Sequence, residues 1–158
     1  MKLILYDESN MILFLNHLSI PKIDFEDKDE LEDYFRQLFL KLHDHYDLEM
    51  SGYYQIDLYL DPFYGAVIEM EKEELEYYVY DDNQIDMRIC VHQIPILYEL
   101  EEYITFDKKY YDTIYYQDKW YIKLKEKISD IDLGRLLEYA EIYYGEDTNQ
   151  IIKNGTYF

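Results

Sequence analysis

His43, His45 and Asp47, and separately Cys90 with His92, are the residues whose types and spacing suggest chemistry. Imidazole, carboxylate and thiolate all ligate metals, and a thiol beside an imidazole can act as a nucleophile. The first group lies in a segment of helical periodicity, where positions two apart point roughly 200° away from each other. Those three side chains therefore cannot close on one ion, and they read as surface residues at a helix C-terminus, where a cationic His is mildly favoured. Cys90 and His92 share one face of a segment that alternates as a strand. No neighbour in sequence identifies itself as the group that would orient the imidazole, so a half-buried, unreactive thiol is expected.

The other familiar devices are missing from the chain. Its 5 glycines are spread out and spell no phosphate-binding loop, and no serine stands at a strand-to-helix turn. Acidic pairs are too abundant to single out two as a glycosidase dyad. No catalytic, cofactor-binding or metal-ligating residue is assigned, and the expectation is a protein that is not an enzyme and carries no cofactor.

Charge narrows the partners. Fifteen basic and 35 acidic side chains leave −20 in 158 residues, and 21 of those residues are tyrosine. Residues 1–80 hold 6 basic and 19 acidic groups and residues 81–158 hold 9 and 16. Such a field opposes nucleic-acid backbones and anionic membranes, so protein partners are expected. The 49% hydrophobic content argues for a folded core. One cysteine excludes an internal disulfide framework, and neither a secretory leader nor a run of about 20 apolar residues is evident. A soluble, cytoplasmic protein is the reading; its oligomeric state is left open.

The elements that would position these residues follow from periodicity. Lys2–Tyr6 and Met11–Asn16 read as a strand pair around the polar turn Asp7–Asn10. Asp27 is a helix cap with Glu30 three positions on, and Leu31, Phe35, Leu38, Phe39, Leu42 and Tyr46 mark one helical stripe. After Gly52, Tyr54, Ile56, Leu58 and Leu60 alternate with Tyr53, Gln55, Asp57 and Tyr59, and a DPFYG turn leads to a strand at Ala66–Met70. Glu71–Glu76 is a charged junction. Beyond it a short strand is expected at Tyr77–Tyr80, a turn at Asp81–Asn83, a strand at Ile85–Val91 and a short helix from Pro95 to Ile104. Asp112–Tyr116 and Trp120–Leu124 read as a hairpin, and Ser129 caps a helix carrying Ile131, Leu133, Leu136, Leu137, Ala140 and Tyr144 up to Gly145. Asp147–Phe158 is left unassigned. The resulting fold class is α+β: two consecutive antiparallel-sheet-plus-helix units, ββαββ over 1–76 and βαββα over 77–158, each a two-layer sandwich.

Three runs carry a resemblance: Leu100–Lys108 (LEEYITFDK), Tyr115–Leu124 (YYQDKWYIKL) and Leu136–Ala140 (LLEYA). In that order they resemble the C-terminal domain of the MecA adaptor family of low-GC Gram-positive bacteria. The first half is similar to the family's first domain: a strand pair, an acidic helix with Leu31, Tyr34 and Phe35, then Gly52 and paired strands. Two departures stand out, a junction of a few residues in place of a long acidic linker, and a final helix absent or reduced to Gln150–Phe158. The resemblance implies a non-enzymatic adaptor that holds a regulatory substrate protein with one half and a Clp-type ATP-driven unfoldase with the other. Tyr and Trp dominate interface hot spots, so Tyr115, Tyr116, Trp120 and Tyr121 are the partner-binding candidates, with Tyr53, Asp57 and Tyr59 on the outer face of the first unit. The charge supports an alternative, an acidic decoy that presents carboxylates as surrogate phosphates to a basic or nucleic-acid-binding protein.

Overall fold

The computed structural model describes residues 1–75, 78–81, 84–105 and 107–158. Among them the chain is α+β, with three helices and ten strands in two five-stranded sheets. It divides into two compact units, Met1–Leu58 with Ala66–His92, and Tyr59–Gly65 with Gln93–Phe158.

In the first unit β1 (Lys2–Leu5) and β2 (Asn10–Asn16) form the expected antiparallel pair, with Leu5 opposite Met11. The Asp7 carboxylate closes the turn by accepting the N–H groups of Ser9 and Asn10 at 2.7 and 2.8 Å. Helix α1 (Lys28–Tyr46) starts where Asp27 accepts the N–H groups of Asp29 and Glu30, and it stops at Asp47, whose φ is 53°. Glu30 reaches back past the cap to the Asp24 N–H at 2.7 Å. Leu31, Phe35, Leu38, Phe39 and Leu42 are buried as their spacing requires. Tyr46, on the same sequence stripe, is the last residue of the helix and is 45% exposed.

The stripe packs on β3 (Gly52–Asp61), where Tyr54, Ile56 and Leu58 alternate inward and the Tyr54 ring lies 5.1 Å from that of Phe39. Strand β4 (Gly65–Glu73) is central, and its consecutive Ala66, Val67 and Ile68 are all buried. The charged junction is thus strand as far as Glu73; Glu76 lies outside the described residues. Gly65, at φ 136°, supplies a backbone conformation closed to other residues where the DPFYG turn enters β4.

Strand β5 (Ile85–His92) departs from the expected plan. It joins the first sheet, in the order β1-β2-β4-β3-β5, whereas the sequence places it in the second half. Gly52 N–H bonds Gln84 O, Gln55 meets Cys90 and Asp57 meets His92. These contacts advance together along both strands, so β5 runs parallel to β3 and the sheet is mixed. Of the expected strand at 77–80, Tyr77 lies outside the described residues and Tyr78–Tyr80 form no strand; of the turn after it, Asp82 and Asn83 lie outside as well.

The second unit is fully antiparallel in its registers. β6 (Leu97–Leu100), β7 (Tyr111–Tyr116), β8 (Lys119–Leu124), α2 (Asp130–Tyr139), β9 (Ala140–Tyr143), α3 (Thr148–Asn154) and β10 (Thr156–Tyr157) give the strand order β10-β7-β8-β6-β9. β7 and β8 are joined by Gln117 and Asp118, both at positive φ (48° and 63°), the signature of a two-residue hairpin turn whose twist suits the strands. Ser129 caps α2 by accepting the Asp132 N–H at 3.1 Å.

Two expectations are corrected in this unit, and one unassigned stretch gains a structure. The helix begun at Pro95 is strand β6, whose Leu97, Tyr98 and Leu100 are buried between β8 and β9. Its short apolar run fits a helix or a strand equally, and pairing on both sides decides. Helix α2 ends at Tyr139; Ala140–Tyr143 pairs with β6 as β9, and Ile131 is 70% exposed. The tail left unassigned is ordered: Thr148 and Ile151 are buried, and β10 pairs with β7. Gly155 is required there, since a Cβ would stand 2.3 Å from Ile114 Cγ2 and 2.6 Å from the Ile151 carbonyl oxygen.

Tyr64 and Tyr98 are both buried in this unit. Burial pushes the Tyr64 hydroxyl from its ordinary 10.0 up to about 12. Burial raises Tyr98 as well, with the Asp61 charge adding to it. The phenolate is the form the fold disfavours, so this stabilisation is complete below the unfolded value and disappears as pH rises through the folded one. We expect the melting temperature to fall between pH 10 and about 12, with a class of tyrosines whose phenolate absorbance appears only as the fold is lost. Phenolate absorbance that rises fully before any loss of circular dichroism contradicts this.

Candidate functional site

The candidate residues are placed by strand alternation. Tyr115 and Trp120 are opposite one another at the turn end of β7 and β8, on one face of the second sheet. Their ring centroids are 4.7 Å apart, and Trp120 also meets Tyr103 at 4.6 Å and Phe158 at 5.0 Å. Phe158 is brought in by β10 and by the bond from its N–H to the Thr113 carbonyl at 3.0 Å. Tyr103 is 52% and Phe158 55% exposed, so the cluster is an open aromatic surface around a half-buried indole. The Tyr115 hydroxyl donates to Asp118 at 2.8 Å, and this bond holds it above the usual tyrosine range.

Tyr116 and Tyr121 belong to the opposite face. Tyr121 is 4% exposed in a core with Leu97, Ile114 and Ile151 of α3, and Tyr116 packs against that cluster. Tyr121 is thus a core residue, unavailable to a partner, because α3 covers the face that it shares with Ile114. The expected aromatic set is halved. Tyr103 and Phe158, which complete the patch, were not singled out from sequence. Tyr103 stands in the LEEYITFDK run and so had a signal; Phe158, in a polar tail, had none.

On the outer face of the first unit Tyr53 and Asp57 are half-buried, but Tyr59 is corrected: it is 8% exposed, its ring 5.2 Å from that of Tyr144 in the second unit to which both belong. Alternation breaks at the end of β3, where Leu58 and Tyr59 are buried in succession. Asp57 supplies what the sequence did not reveal for His92, a carboxylate 2.9 Å from its Nε2. The Cys90 thiol contacts the Gln55 amide at 3.7 Å. A thiol relay requires the imidazole between acid and sulfur; here the contacts run across the strands, Asp57 to His92 and Gln55 to Cys90, as a row of polar pairs. His43 stands beside Asp44 at 3.3 Å, and Asp47 terminates α1. Among the described residues no group of three or more His, Cys, Asp or Glu is placed to hold a metal.

A buried carboxylate organises the start of the second unit. Asp61, 6% exposed, accepts the N–H groups of Phe63 and Tyr64 on one oxygen at 2.8 and 2.9 Å and that of Ile96 on the other at 2.8 Å. The work is structural, tying the DPFYG tip to the entry of β6. Near it the Tyr98 hydroxyl is buried without a hydrogen-bond partner among the described residues. Among the described residues no helix is long and apolar enough to cross a membrane.

The chain is thus an α+β protein of two sheet-and-helix units with an aromatic surface patch on the second. In comparison with known proteins, no family model, no curated protein and no solved structure matches it.

Proposed function

We propose that the protein is a non-enzymatic, cytoplasmic adaptor of the MecA type, which binds a regulatory substrate protein and a Clp-type ATP-dependent unfoldase and so delivers the substrate for proteolysis. The observation that carries this reading is the open cluster of Tyr103, Tyr115, Trp120 and Phe158. Large aromatic rings gathered on a surface are what a protein interface uses as anchors. The order of the three sequence runs that carry the resemblance supports it further. A chain offering two interfaces can raise the effective concentration of one partner near the other to the millimolar range.

Trp120 is the single tryptophan, so its emission reports on the patch. Mixing the protein with a purified Clp-type unfoldase from a low-GC Gram-positive bacterium is expected to shift that emission to the blue and to give co-elution on gel filtration. Trp120→Ala should weaken co-elution by roughly thirtyfold, the loss of a central hot spot, while Tyr6→Ala, at a 66% exposed ring of the first unit, leaves it unchanged. Absence of a complex, or equal binding by Trp120→Ala, overturns the reading. Saturable binding of a purified basic nucleic-acid-binding protein, with none of the unfoldase, favours the acidic decoy.

A further inference from the structure

The charges around the aromatic patch have one sign. Strands β7 and β8 alternate, so the side chains that share the face of Trp120 are Tyr111, Thr113, Tyr115, Ile122 and Leu124, none of them charged. Glu101 and Glu102 are exposed between Leu100, which pairs with Trp120, and Tyr103, whose ring meets the indole. Asp118 accepts the Tyr115 hydroxyl. The two bases of β8 belong to the other face: Lys119 pairs with Glu99 at 3.0 Å, and Lys123 stands opposite Asp112. Lys153 belongs to α3, which covers that other face through Ile151. Helix α2 has no basic residue in its last turn, and its cap Ala140 pairs with Leu100. Its carbonyl end therefore adds partial negative charge two strand spacings, about 10 Å, from Trp120. Elsewhere the chain seats cations on rings, Lys2 over Phe14 and Lys109 over Tyr110, but among the described residues none stands over Trp120 or its neighbours.

We propose that this patch captures an arginine side chain of a partner protein, its guanidinium lying on the rings at Trp120 and donating to the carboxylates of Glu101, Glu102 or Asp118. Aromatic faces attract cations, and tryptophan does so best. Among cations the guanidinium suits the site. It is planar and weakly hydrated, so it stacks on a ring while its edge N–H groups bond carboxylates, whereas an ammonium is a compact and strongly hydrated charge. An aliphatic anchor would press apolar surface against three carboxylates and strip them of water with nothing in return. A second copy of the chain would bring another −20 to the same place. The inference rests on the reading of this patch as an interface and adds the chemistry that the partner brings to it.

The test is a titration of the isotopically labelled full chain with the blocked pentapeptide Ser-Gly-Arg-Gly-Ser, followed by amide NMR and Trp120 emission. Expected are saturable shifts confined to residues 100–105, 113–120 and 156–158, with a change in emission. The same peptide with citrulline, which keeps the planar shape and loses the charge, should bind roughly tenfold more weakly, and the peptide with lysine roughly threefold. Trp120→Leu should erase the preference for arginine over lysine. Tyr103→Leu, at a ring more than half exposed and so outside the core, should reduce it. Glu101→Gln combined with Glu102→Gln should weaken the arginine peptide roughly threefold and flatten its salt dependence. Equal binding of the arginine and citrulline peptides, tighter binding of a leucine peptide, or shifts scattered over the acidic surface would each overturn the proposal. Any of these beside a Trp120-dependent unfoldase complex removes the arginine anchor alone. An arginine-specific response at the patch with no unfoldase complex keeps the anchor and removes the adaptor reading.

Discussion

Replacing Phe35 with Ala lowers the stability of the first unit by about 3–5 kcal/mol, the usual loss for a large aromatic removed from a closed core. Phe35 is wholly buried, and its ring packs 5.3 Å from Tyr34 and 6.4 Å from Phe39, which in turn meets Tyr54 of the sheet. The truncation therefore opens a void between helix and sheet that rigid aromatic neighbours cannot refill. Tyr46→Ala is the control. It lies on the same helical stripe in sequence but is 45% exposed, so its change stays within about 0.5 kcal/mol. Urea unfolding followed by circular dichroism distinguishes them, and similar midpoints for the two variants would show that α1 does not pack through Phe35.

Asp61→Ala is expected to cost the second unit roughly 3 kcal/mol, because two buried N–H groups and a part-buried one lose their acceptor at once. The groups are those of Phe63, Tyr64 and Ile96, all within 2.9 Å of the carboxylate. Asp61→Asn separates the contributions. Its amide oxygen can serve Phe63 and Tyr64, but its NH₂ then faces the Ile96 N–H, donor against donor, so about half of the loss remains. Denaturant midpoints for the two variants give the comparison directly. A loss under about 1 kcal/mol for Asp61→Ala would mean that water replaces the carboxylate.

How much of the site could be read in advance is clearest at the β7–β8 hairpin. Its existence was plain from Asp112–Tyr116 and Trp120–Leu124, and alternation alone says that Tyr115 and Tyr116 must face opposite ways. Which face stays open was not legible. That depended on α3, whose Ile151 covers Ile114 and Tyr121, and on β10, which carries Phe158 to Trp120. Both elements lie in a tail whose polar composition carried no periodic signal. Likewise Asp57 and His92 are 35 positions apart, and nothing near either residue announces the other.

The sequence by itself determined the elements whose free energy is local. α1 has a cap at Asp27 and a stripe of buried residues at helical spacing, α2 has its cap at Ser129, and the β1–β2 and β7–β8 hairpins have polar turns between apolar runs. Tertiary structure alone decided the identity of Leu97–Leu100, the conversion of Ala140–Tyr143 from helix to strand, and the membership of β5 in the first sheet. In the first two segments the local preference is weak or points to helix, and in β5 the strand itself was legible but not the sheet it joins; in all three the deciding pairing comes from residues far away along the chain. A strand, unlike a helix, satisfies its backbone only through a neighbour. The partner strand therefore chooses the structure, and a reading along one chain cannot see it.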